Sequence, residues 1–175
     1  MPENPSSVLV PGRACGSCSL CCKVFRVPEV DKPAGQWCRH IVHGKGCGIH
    51  DSRPQVCRAF FCHWMRNGAL DDNWRPDRCK VVLYTEAGGR RLVAVVDPTS
   101  PRAWAKEPVY SQLKRWAIVA ARSDHQVVVF HGMHATVILP DREVPVGEVA
   151  LGDEIIVHRR AYGFSVEVRR KEPVR

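Results

Sequence analysis

All nine cysteines of the chain fall within its first 79 residues: Cys15, Cys18, Cys21, Cys22, Cys38, Cys47, Cys57, Cys62 and Cys79. None follows. Ordinary buried thiols would be scattered, so this confinement points to one structure built around them. The stretch 14–80 is rich in Cys, Gly, His and Arg and poor in apolar periodicity. Such a segment buries too little apolar surface to hold itself together and calls for a metal staple.

The start, Met1-Pro-Glu-Asn-Pro-Ser-Ser, lacks the basic end and apolar run of an export signal. No segment approaches the ~20 consecutive apolar residues of a membrane helix. A cytoplasmic protein without a membrane partner is therefore expected, and reduced thiols there read as metal ligands. The odd cysteine count and the adjacent pair Cys21–Cys22 weigh against disulfides.

The cysteines form two knots. In Cys15-Gly-Ser-Cys18-Ser-Leu-Cys21-Cys22 the two-residue gaps let sulfurs turn toward one point, and a helix from Ser17 would put Cys18, Cys21 and Cys22 on one face. The second knot is Cys38, Cys47 between two glycines, and Cys57 and Cys62 around Arg58-Ala-Phe-Phe. Asp51 or Ser52 is expected to cap a helix carrying Cys57; Cys62, about 140° further round, requires that helix to end or distort if both reach one centre. Four plus four allows two tetrahedral sites or one cluster with cysteines in support. Cys79 reads as a plain buried thiol beside the first strand. Zinc takes four thiolates in a closed site, and C-x2-C-x2-C with a remote fourth ligand also suits a [4Fe–4S] cluster. The ferredoxin continuation x3-Cys-Pro is absent.

Arg53 and Arg58 are candidates to donate hydrogen bonds to thiolate sulfur and offset its charge. His40, His43, His50 and His63 lie near the cysteines and read as supporting or exposed groups. His131-x2-His134 fits a hairpin turn. Trp37, Trp64 and Trp74 are expected in the apolar shell of the metal domain, and Trp104 and Trp116 in the core.

The motif Cys15-x2-Cys18-x2-Cys21-Cys22, then Cys38, Cys47-Gly-Ile-His50 and Arg53-Pro54-x2-Cys57-Arg58-x2-Phe61-Cys62 resembles the YkgJ-like cysteine-cluster family. Its members are described as zinc- or iron-chelating, and flagellin lysine N-methylases share the pattern. The resemblance spans about residues 14–64 and implies Cys15, Cys18, Cys21, Cys22, Cys38, Cys47, Cys57 and Cys62 as the chelating set. His50 stands where many members carry an aromatic residue. The resemblance supplies no reaction, and no Gly-rich strand–turn–helix for a methyl donor is present.

Beyond residue 80 the composition changes. Residues 80–86 and 91–97 are β-rich runs around Ala87-Gly88-Gly89-Arg90 and predict a hairpin. Residues 104–122 predict a helix whose main part begins near Pro108, with Val109, Leu113, Trp116 and Ala120 near one face. Strands are expected at 126–130, 135–139, 154–158 and 164–169. The expected architecture is α+β: a loose tail (1–13), an irregular, metal-stapled cysteine domain (14–80) and an α+β module (81–175) with an antiparallel sheet and one main helix.

The net charge of +8 splits as 12 basic against 7 acidic residues up to Lys80, and 14 against 11 beyond. Without a dense basic run before Arg169-Arg170-Lys171, this reads as solubility plus compensation of thiolate charge rather than nucleic-acid binding. The function expected is binding of zinc or an iron–sulfur cluster. A modifying enzyme that uses the cluster, or a zinc-stabilised interaction module for nucleic acid or protein, are the alternatives.

Overall fold

The computed structural model describes residues 9–171. Of the expected tail, 1–8 lies outside the described residues, and 9–13 is docked rather than loose. Leu9 packs against the core, and the Val10 amide donates to the Met65 carbonyl at 2.8 Å. The Arg13 guanidinium lies 4.8 Å from the centre of the Trp64 ring and donates to the carbonyls of Trp64, Asn67 and Leu70.

The cysteine-rich stretch folds into short pieces: α1 (Cys21–Val24), the two-stranded ribbon β1 (Ile41–Val42) and β2 (Gly46–Cys47), then α2 (Gln55–Ala59), α3 (His63–Arg66) and α4 (Pro76–Cys79). The expected cap of α2 is corrected. Asp51 and Ser52 sit in a separate 3-10 turn, and Pro54 precedes the helix with no side-chain cap. Pro54 suits a helix start because the first turn leaves its missing N–H unneeded.

β3 (Val81–Glu86), β4 (Arg91–Val96), β5 (Gln126–His131), β6 (His134–Ile138) and β7 (Glu143–Glu148) form one sheet in that order. The β3–β4 hairpin falls where the sequence places it. The sheet is not wholly antiparallel, however: β4 and β5 run parallel. The 97–125 connection contains α5 (Val109–Ala120), a crossover long enough to return the chain in the same direction. β7 was not expected, since Pro145 and Gly147 lie inside it; Pro is tolerated there because β7 is an edge strand. β8 (Glu154–Arg160) and β9 (Gly163–Arg169) pair separately.

Both faces of the sheet are covered, which gives three layers. Along β5, Val127 and Val129 enter the cluster that holds Leu113 and Ala117 of α5, while Val128 enters one with Ile155 of β8. That alternation is the period of two expected of a strand. The first cluster also contains Leu20, Val24, Trp64, Met65 and Trp74. The cysteine-rich stretch and the sheet therefore share a core, and Trp116 of α5 meets Trp74 at 5.5 Å across it. Among the described residues no helix is long and apolar enough to cross a membrane.

Candidate metal centre

The first knot opens on a turn in which the Cys18 amide donates to the Cys15 carbonyl at 2.8 Å, and α1 then begins at Cys21. The second knot is brought to it by two backbone contacts. The Cys38 amide donates to the Cys22 carbonyl at 3.1 Å. Gly46, at φ +101°, packs so closely on the first turn that a Cβ there would lie 2.1 Å from the Gly16 oxygen. Only glycine permits this approach, and it seats Cys47 beside Cys15. α2 presents Cys57 and then stops, with Phe60 extended, so that Cys62 starts a new helix.

These contacts gather Cys15, Cys18, Cys21, Cys22, Cys38, Cys47 and Cys57 around one cavity of about 340 Å³. Cys62 is buried on the other side of the first knot, where it lines a void of about 20 Å³ with Cys15, Cys18 and Cys21. Cys79 lines neither space, though it stands near enough to Cys18 and Cys62 to feel their charge; its thiol donates to the Val81 carbonyl at 3.2 Å and the Trp74 carbonyl at 3.5 Å. Burial pushes it up to about 11. Among the described residues, no three His, Cys, Asp or Glu side chains are already closed around one point in the manner of metal ligands.

The charges at this cavity are unbalanced. Among the described residues no Asp or Glu lines it, whereas Arg26, Lys32 and Arg53 do. Lys32 is only 3 % exposed. Its ammonium donates to the carbonyls of Lys23 and Phe25, and its strongest acidic neighbours are thiols: Cys22, Cys38, Cys21 and Cys57. Arg53 bonds to the Cys15 thiol, yet its Nε is buried without a partner among the described residues. Buried cations are costly unless an anion pairs with them, and thiolates are the anions this site can supply. The donor set, the orphaned Arg53 nitrogen and the Gly46 cradle thus fit a thiolate-bound metal.

Individual thiols respond to this setting. Burial pushes Cys18 up to about 11, with partial relief from hydrogen bonds that include one from Arg75. Cys21 and Cys22 share a hydrogen bond that raises Cys21 and lowers Cys22 to about 7. Lys32 and Arg53 further favour the Cys22 thiolate.

Arg58, expected to support the centre, is exposed on α2 and is not among the lining residues, whereas Arg53 is. Lys32 and Arg75 were missed from sequence; both are single basic residues with no motif around them. Lys23 was missed too: it pairs with Asp97 at 2.6 Å and donates to Thr99 at 3.0 Å. His40 and His50 line the cavity. His43 instead packs on Trp37 at 6.3 Å, and His63 on Trp116 at 6.0 Å. Trp64 and Trp74 are buried as expected, but Trp37 is 45 % exposed, its ring 5.3 Å from the Lys23 ammonium. His131 and His134 face each other across the β5–β6 turn.

A scan against family models and searches of curated proteins and of solved structures return no match to this chain.

Proposed function

We propose that this protein binds metal through cysteine thiolates, as zinc or as an iron–sulfur cluster, and that it belongs with the YkgJ-like cysteine-cluster proteins its motif resembles. One observation carries the reading: seven cysteines spread from Cys15 to Cys57 converge on a single cavity that, among the described residues, is lined by cations and no carboxylate. A thiolate-bound metal would neutralise those cations and supply the cross-links that the short elements of residues 14–62 lack. When bound, zinc would act as a structural cross-link, and an iron–sulfur cluster could in addition carry electrons.

Purification without oxygen, followed by metal and sulfide analysis and a visible spectrum, tests this. Brown protein with iron and sulfide selects the cluster; colourless protein with stoichiometric zinc selects zinc. Protein with no stoichiometric metal refutes the proposal.

A second reading, a modifying enzyme with substrate beside the centre, draws support from the far wall of the cavity. There Phe25, Phe60 and Tyr84 of β3 form an edge-on aromatic cluster with centroids 4.9–5.9 Å apart. An apolar wall beside a few polar groups is the common form of a ligand pocket. Tyr84→Ala leaving every assayed activity of the metal-loaded protein intact would remove that support.

A further inference from the structure

We infer that the eight motif cysteines divide into two four-thiolate centres: Cys15, Cys18, Cys21 and Cys62 hold one, and Cys22, Cys38, Cys47 and Cys57 hold the other. This rests on the metal-binding reading above and deepens it.

The small void is lined by Cys15, Cys18, Cys21 and Cys62 and by none of the other four. Cys22, Cys38, Cys47 and Cys57 line the large cavity only. Cys57 has Cys22, Cys38 and Cys47 as its cysteine neighbours and Cys62 has Cys15, while Cys15 also feels Cys22 and Cys47 and Cys21 feels Cys22, so the two sets adjoin. The pivot is α1. Cys21 and Cys22 are consecutive in it, so their side chains leave the helix about 100° apart and serve two sides of one element. The Cys38 amide binds the Cys22 carbonyl, while Met65 of α3 touches Cys15, sulfur to sulfur, at 3.8 Å; the Gly46–Gly16 approach sets the two groups side by side.

Cations flank both sets. Arg75 bonds to Cys18 of the first and also pairs with Asp77 at 3.0 Å. Lys32 faces Cys22, Cys38 and Cys57 of the second and Cys21 of the first. Arg53 bonds to Cys15 and lies near Cys22, between the sets. Four thiolates complete a zinc tetrahedron or the ligand set of a cubane, so eight make two whole sets with nothing left over. Cys79, already bonded to main-chain carbonyls, belongs to neither.

The test is titration of the reduced full-length chain with Co2+ alone, reading thiolate-to-cobalt absorption. Wild-type protein should saturate at two equivalents, and Cys62→Ala and Cys38→Ala should each saturate at one. Cys62→Ala should keep the set with three cysteines facing Lys32, so adding Lys32→Met to Cys62→Ala should weaken the remaining site by about tenfold, while adding it to Cys38→Ala, whose remaining set has only Cys21 facing Lys32, should weaken that site less. Wild-type saturation at one equivalent, or loss of all binding in both single variants while they stay folded, overturns the division and leaves the metal-binding reading standing. No binding by the wild type overturns both. If the variants do not fold, 113Cd NMR of the wild type decides: two thiolate-bound resonances support two centres, and one resonance overturns them.

Discussion

Lys23 and Asp97 form a buried pair whose side chains are 8 % and 7 % exposed, and Thr99 completes it from the same turn as Asp97. Burial pushes the Asp97 carboxyl up, but Lys23 and the amide and hydroxyl of Thr99 more than offset this, so it titrates below its ordinary 3.8. A carboxyl lowered by folding stabilises above its unfolded value, and that contribution is lost as pH falls through the folded one. Stability should therefore decline below pH 3.8 in urea titrations, and Asp97→Asn should flatten the part of the decline owed to this residue. At neutral pH Asp97→Asn should cost about 3 kcal/mol, because it leaves Lys23 buried and unpaired. Sequence could not reveal this pair: 74 residues separate its members, and a lone Lys or Asp reads as surface. The cysteines were legible because eight of them form a spaced pattern that chance seldom produces, whereas Lys32 and Arg75 stand singly. Arg58 misled for the opposite reason: adjacency to Cys57 in sequence turns it away from Cys57 on a helix.

Elements set by local signals appear where the sequence puts them: the β3–β4 hairpin, α5 behind Pro108, and the β8–β9 pair. What local signals do not encode is direction. Whether β5 lies parallel or antiparallel to β4 is decided by how α5 packs, through Val109, Leu113 and Ala117, on the face shared with Val127 and Val129. Leu113 is fully buried, so Leu113→Ala should lower stability by about 2–5 kcal/mol in chemical denaturation, without changing metal content. The β1–β2 ribbon predicts the converse. Gly46→Ala forces a side chain into the left-handed region at a cost of roughly 1–2 kcal/mol and drives a Cβ into the Gly16 oxygen. It should displace Cys47 and weaken metal retention against a chelator, while Gly44→Ala, which bears a similar backbone cost at φ +75° but has open space around it, should lower stability with retention nearly unchanged.

Across the whole molecule, the α+β architecture stands with a mixed sheet, and one core joins the cysteine-rich stretch to it through Trp64, Met65 and Trp74. Despite that shared core, the response to chelation should be graded, because the elements of residues 14–62 are short. Hydrogen exchange should rise first and most in residues 14–62, whose short elements have few long-range backbone bonds, and β3–β6 should stay protected. Uniform loss of protection would show instead that the centre and the sheet fold as one unit. Metal binding by this protein requires above all that the thiols be occupied ligands. Metal per chain, measured on anaerobically purified wild type, Cys79→Ser and the double variant Cys18→Ser with Cys57→Ser, tests that directly. Stoichiometric metal in the first two and loss from the double variant is the expected result; equal metal in all three, or none in the wild type, would contradict it.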